Sequence, residues 1–243
     1  MTPALFYVDT LPPGDSVLLL GDEGRHAARV RRLAPGERVQ IGDAAGTVLD
    51  CTVAQVRPDG LLLHARSRCT VPVPDPRLVV VQALPKGERA ELAVESMTEL
   101  GVDEIVPWQA SRSITQWHGP RADKALARWR RVAREAAKQS RRPWVPSVAP
   151  VETTGQVTAR LATASGGLVL HESATSALAS CPVPSTGVLV VVVGPEGGIS
   201  DDELERFAAA GSSAVRLGDA VLRTSTAGAA ALAALSLRLG RWS

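Results

Sequence analysis

Six consecutive apolar residues, 188–193, stand between Gly187 and Gly194. Such a run, rich in Val and without polar alternation, predicts a strand covered on both faces. Gly194-Pro195-Glu196-Gly197-Gly198 follows, where glycine and proline let the backbone turn sharply and approach a ligand closely. Ser200 with Glu203 three residues on forms a capping box, so a helix is predicted to start there. Strand, glycine-rich loop and helix in that order place a small-molecule site at the carboxyl end of a parallel strand.

The same reading extends in both directions. Residues 78–83 predict a buried strand, 88–100 a helix with Leu92, Met97 and Leu100 inward, and 102–108 a second strand, together a βαβ unit. Over 123–140 a helix is predicted with Leu126, Trp129, Ala133, Ala136 and Ala137 on one face and Lys124, Arg128, Arg131 and Lys138 on the other. Strands are expected at 167–172 and 214–217. The stretch 227–239 is apolar nearly all round and predicts a buried helix whose small residues permit close packing. Residues 1–71 differ: short β-prone runs at 5–8, 16–20, 38–41, 47–56 and 61–68, with one helix at 22–33 capped by Asp22. Pro72, Pro74 and Pro76 mark a stiff connection, so two domains are expected, 1–71 and 76–243.

Charge changes this picture. The chain's 243 residues carry a net charge of only +2, yet nine basic residues against two acidic ones put residues 121–142 at +7 and the remainder at −5. A second basic cluster, Arg25, Arg29, Arg31 and Arg32, sits in the N-terminal helix. Clusters of this kind are an electrostatic footprint for a polyanion, and a merely solvated helix face would mix signs more evenly. Three scattered cysteines and four scattered histidines, without CxxC or HExxH, imply neither a disulfide framework nor a metal site. No basic-then-apolar leader opens the chain and no apolar run is long enough to span a bilayer, so a cytoplasmic location is expected.

The loop at 194–198 carries Glu196, and the next helix opens with Asp201, Asp202 and Glu203. Those carboxylates suit the helix dipole but would repel a polyphosphate, so a cationic or zwitterionic ligand fits better. Neither GxGxxG nor GxxxxGK[ST] follows a strand, which argues against a dinucleotide- or nucleotide-using enzyme. A purely structural loop, with the chain acting as a non-catalytic RNA-binding module, is the remaining rival from the residues alone.

Together, Gly194 to Gly198, Leu217-Gly218, and Leu222-Arg223-Thr224-Ser225-Thr226-Ala227 resemble the two C-terminal motifs of the RsmE-type 16S rRNA methyltransferases. Lys86-Gly87, residues 98–102, Arg112-Ser113, Glu135-Ala136 and Gln139-Ser140 match further, and Arg29 to Gly36 and Gly42 to Gly46 are similar to that family's PUA-like unit. Ser225 departs from the usual Glu of the last motif. The resemblance implies a SPOUT-class α/β domain with a C-terminal trefoil knot behind a PUA-like β-barrel. It implies S-adenosyl-L-methionine as methyl donor, N3 of a uridine in 16S rRNA of the small ribosomal subunit as target, and a homodimer. The donor would meet Leu170, His171, Glu172, Gly194, Pro195, Glu196, Gly198, Leu217, Gly218, Leu222, Thr224, Thr226 and Ala227. RNA would meet Lys86 and Arg112 as well as the two basic clusters, including Arg128, Arg131 and Lys138. Arg223 is the candidate to hold the anionic uracil oxygen or a phosphate, with Glu196 and His171 the nearby titratable groups. A SPOUT enzyme acting on another rRNA or tRNA nucleotide is the nearest alternative.

Overall fold

Two separate sheets organise the chain in the computed structural model, which describes residues 3–87 and 89–242. They belong to two compact units, one made of residues up to Val73 with Ala137–Val145, the other of Pro74–Ala136 and the chain from Pro146 on.

The first unit carries five strands, β1 (Ala4–Tyr7), β2 (Ser16–Leu19), β3 (Arg38–Gly42), β4 (Thr47–Arg57) and β5 (Gly60–Thr70), in the order β1-β3-β4-β5-β2. β1 runs parallel to β3 and the other pairs are antiparallel. Inward positions such as Phe6, Leu19, Ile41, Leu49 and Leu61 fill one core. The helix expected at 22–33 is shorter: α1 (Gly21–Arg25) passes into a π-helical turn over His26–Val30. Asp22 does not cap it. The N-cap is Leu20 without a side-chain bond, and the Asp22 carboxylate pairs with Arg25 inside the first turn. Gly24 is required here, because a Cβ on it would lie 2.3 Å from the Leu19 carbonyl oxygen.

Residues 137–145, expected in the second unit, belong to the first. Ala137 is buried with Leu5 and Tyr7, the Tyr7 hydroxyl donates to the Arg142 carbonyl at 2.6 Å, and the Trp144 indole donates to the Val71 carbonyl at 3.0 Å. Linear hydropathy does not reveal which partner a short apolar stretch will find.

The second unit is a seven-stranded parallel sheet of β6 (Arg77–Ala83), β7 (Glu104–Gln109), β8 (Ser147–Val148), β9 (Glu152–Thr153), β10 (Gly166–Leu170), β11 (Val188–Val193) and β12 (Ser213–Val215). Its order is β12-β10-β11-β6-β7-β8, with β9 also on β7. Both faces are covered, which explains the unalternating Val run. Leu78, Val80, Val191 and Val193 share one core with α2 (Arg89–Glu99), α3 (Pro120–Gln139) and α6 (Thr224–Arg238). Val79, Val81, Val190 and Val192 share the other with α4 (Thr154–Thr163) and α5 (Asp201–Ala209).

α4 is a helix beyond those that the hydropathy pattern predicts, although Thr153 and Gln156 form a capping box with the same logic as Ser200 and Glu203 at α5. Glu88, where the sequence pattern starts its helix, lies outside the described residues. Leu92 on α2 is 48% exposed rather than inward, because Ala93, Val94 and Met97 take the buried face. Small residues do bring α6 close to α2: a Cβ on Gly228 would lie 2.7 Å from Met97 Sδ.

The segment between β10 and β11 fastens the chain's end. Ala177 bridges Arg216 just after β12, and Arg238 at the end of α6 donates to the carbonyls of Leu178 (2.6 Å) and Cys181 (2.5 Å). No described helix is long and apolar enough to cross a membrane.

Candidate functional site

The carboxyl ends of three neighbouring strands, β10, β11 and β12, open onto one cavity of about 360 Å³. Parallel strands place their following loops at the same edge, so stretches far apart in sequence converge there. Of the residues proposed to meet the donor, Leu170, His171, Glu172, Gly194, Pro195, Glu196, Gly198, Leu217, Gly218, Leu222, Thr224 and Ala227 line it, as does Arg223. Thr226 does not; its hydroxyl donates to the Arg223 carbonyl at 3.2 Å and stabilises the first turn of α6.

The glycine loop is built by local chemistry. Gly198 has φ +74°, a left-handed conformation that side chains resist, and its N–H donates to the Pro195 carbonyl at 2.9 Å to close the turn. Gly197 lies against the next loop, where a Cβ would come within 3.1 Å of the Arg112 carbonyl oxygen. Glu196 accepts the Lys86 N–H at 3.2 Å, and Arg112 Nη1 donates to the Gly197 carbonyl at 3.5 Å. Lys86 and Arg112, singled out for RNA, are therefore gathered beside Glu196, whose carboxylate acts here as an anchor between loops.

Other groups divide by availability. His171 Nδ1 accepts the Ser173 N–H at 3.3 Å, which puts the proton of the neutral ring on Nε2. Arg216 is paired with Asp219 at 3.2 Å. Arg89 and Arg223 both line the cavity and pair with no described carboxylate. Arg89 is a lining arginine that the motifs leave out; its position two residues after the Lys86-Gly87 match is the available signal. Gln82, fully buried, donates to the Thr224 carbonyl at 3.3 Å and ties β6 to the start of α6.

Glu203 does more than cap a helix. It is 2% exposed and accepts from the Ser111 N–H (2.8 Å), the Ser111 hydroxyl (3.0 Å), the Thr154 hydroxyl (2.9 Å) and the Ser200 N–H (3.1 Å). Burial pushes its pKa up, but these hydrogen bonds to the charged form outweigh burial and hold it below the ordinary carboxylate value.

The basic residues are less uniform than their spacing suggests. Arg131 and Lys124 on α3 are exposed, whereas Arg128 pairs with Glu91. Lys138 does not join the outer face. It is largely buried in the first unit, donating to both Glu23 oxygens at 2.8 and 3.0 Å, because the last turn of α3 packs there. In the N-terminal cluster Arg31 and Arg32 are exposed, Arg25 pairs with Asp22, and Arg29 donates to the Pro58 carbonyl at 3.1 Å. Among the described residues no group of His, Cys, Asp and Glu is arranged to hold a metal ion.

Comparison with known proteins gives this geometry its family. An RNA methyltransferase domain matches residues 73–236 and an RNA methyltransferase PUA domain matches residues 19–64. Ribosomal RNA small subunit methyltransferase E of Mycobacterium bovis is 48% identical, covering 100% of this chain and 94% of its own, and that of Bacillus subtilis is 31% identical, covering 90% and 88%. The Neisseria gonorrhoeae ribosomal RNA small subunit methyltransferase E, solved bound to S-adenosyl methionine, superposes with a TM-score of 0.86 at 29% identity over 100% of both chains. A Legionella pneumophila protein solved with its bound cofactor SAM superposes at 0.85, with 26% identity and 98% of both chains covered. A parallel-sheet α/β unit with this cavity, a PUA unit before it and relatives matched over most of their length place the chain in the ribosomal RNA small subunit methyltransferase E family.

Proposed function

We propose that this chain methylates N3 of a uridine in small-subunit ribosomal RNA, with S-adenosylmethionine as donor. The observation that carries the reading is the convergence of the loops after β10, β11 and β12 on one cavity that also holds Arg223 and Arg89. Its lining fits the donor: Leu170, Val193, Ile199 and Leu217 supply apolar walls for an adenine ring, and Glu172 suits an ammonium group. The N-terminus of α6, with Thr224 and Ser225 on the cavity, suits a carboxylate. When bound, the donor supplies an electrophilic methyl group.

The chain's own residues do the rest. Uracil N3–H is a weak acid; its proton passes to solvent water, and the charge it leaves spreads onto the ring oxygens before N3 takes the methyl group. Arg223, with Arg89 beside the same cavity, offers guanidinium donors to that charge. Gln82 and Thr226 hold the first turn of α6, and thereby the backbone at Arg223. Lys86 and Arg112 stand beside the glycine loop to receive phosphates, which position RNA without reading its sequence. Arg31 and Arg32 in the first unit, and separately Lys124 and Arg131 on α3, are exposed positive charges open to phosphates. The target base must leave its stack to reach the methyl group.

We further read the protein as a cytoplasmic homodimer. Leu92 on α2 and Leu237 on α6, two helices packed on each other, are 48% and 66% exposed and leave apolar surface for a second copy.

Calorimetric titration with S-adenosylmethionine, followed by mass spectrometry of 16S rRNA from a strain lacking the protein, tests the reading. Donor at 100 times its Kd raises unfolding stability by about 2.7 kcal/mol. Absence of binding returns the chain to an RNA-binding role, and loss of a methyl group from a different nucleotide reassigns the substrate.

A further inference from the structure

The connection from β6 to α2 borders two cavities. Arg89 lines the one described above, while Pro85, Gly87 and Ala90 line a second of about 390 Å³. Trp117 and Trp129 form part of its wall, edge to face with ring centres 5.1 Å apart. Trp129 is buried in the core, whereas Trp117 is half-buried. The loop bearing Trp117 is fixed in place: its N–H donates to Gln109 Oε1 at 3.0 Å, and the neighbouring Thr115 hydroxyl donates to the Pro85 carbonyl at 3.1 Å. Glu91 and Arg128, paired with each other, also line this cavity.

We propose that this second cavity is a subsite for a nucleobase of single-stranded RNA next to the base that is methylated, a proposal that rests on the methyltransferase reading above. Indole surface stacks on any base, a guanidinium packs on base faces, and a carboxylate accepts from ring N–H and amino groups. A polyanion is drawn to this mouth, because Arg121, Lys124 and Arg131 are exposed on the helix that carries Arg128. A second copy of the chain would bring its own Arg121, Lys124 and Arg131 to this face, an excess of positive charge that favours a polyanion over two-fold pairing there. The shared connection places the two cavities as neighbours, so an RNA strand delivering one base to the first has an adjoining base within reach of the second.

The test uses full-length protein, small ribosomal subunits from a strain lacking it, and labelled S-adenosylmethionine. Trp117→Ala removes the stacking surface, and Ala125→Phe fills the cavity from α3 while every native wall remains. Both variants are expected to raise KM for the subunits by about 5- to 150-fold, the range for one lost base stack, with kcat little changed and donor binding intact. Trp117→Phe is expected to restore most of the KM. Wild-type KM in both Trp117→Ala and Ala125→Phe overturns the subsite, as does dissociation of a dimer by both in sedimentation, which would assign the cavity to a second copy. Failure of the wild-type protein to bind donor would instead sink the methyltransferase reading, and the subsite with it.

Discussion

Glu203 accepts the backbone N–H of Ser111 at 2.8 Å across 92 positions of sequence. The bond joins the cap of α5 to the loop that places Arg112 against Gly197, so a helix-capping carboxylate also shapes the edge of the candidate site. Each hydrogen bond to a buried charge is worth about 1.5–3 kcal/mol. We expect Glu203→Ala to lower unfolding stability by on the order of 3 kcal/mol, measured by urea denaturation. Because the folded pKa lies below the ordinary 4.5, this contribution is full above about pH 4.5 and disappears as pH falls through the lower folded value. Glu203→Gln should therefore flatten the acid limb of the stability profile. A limb identical to wild type would remove Glu203 as its source.

Arg223→Ala and Arg89→Ala should each reduce kcat for methyl transfer by about 10²- to 10³-fold, the cost of removing one donor to developing charge. Donor affinity, read by calorimetry, should change far less. Turnover equal to wild type would take the substituted arginine out of the active site.

Exposed positive charge on α3 should govern RNA affinity. Lys124→Glu with Arg131→Glu is expected to weaken binding to small-subunit RNA and to lower the slope of log K against log salt by about 0.7 for each lost phosphate contact. Lys138 should behave otherwise. Bound to Glu23, its replacement by Ala lowers the stability of the first unit without altering the salt slope. An unchanged slope in the double variant would mean that the helix does not meet RNA.

Gly46 has φ +98°, and a Cβ there would lie 2.5 Å from the Trp144 ring and 2.8 Å from the Val71 carbonyl oxygen. Gly46→Ala should cost about 3 kcal/mol, combining backbone strain with overpacking. Chemical denaturation monitored by tryptophan fluorescence measures it, and a cost below about 1 kcal/mol would show that the segment moves aside freely.

Cys51 and Cys181 are buried and Cys69 is exposed. Burial, reinforced by the Asp50 charge, pushes the Cys51 thiol up to about 11, so almost none of it is thiolate at neutral pH. One thiol per chain should react with a soluble disulfide reagent at pH 8, and three after unfolding. Rapid reaction of more than one in the native protein would contradict the packing.

Local sequence alone determined much of this protein. The doubly covered strand at Val188–Val193, the capping box at Ser200 and Glu203, and the two-faced helix around Trp129 are each written in one contiguous stretch of chain, and hydropathy period and capping chemistry read such stretches directly. The two C-terminal motifs likewise contain half of the residues that line the cavity. Tertiary structure decided what depends on partners distant in sequence. It turned Lys138 from a phosphate ligand into the partner of Glu23, moved residues 137–145 into the first unit, exposed Leu92 and brought Arg89 to the cavity of Arg223. A lysine on a helix reads alike whether water or a carboxylate awaits it, because the energy that distinguishes the two belongs to a group more than a hundred positions away.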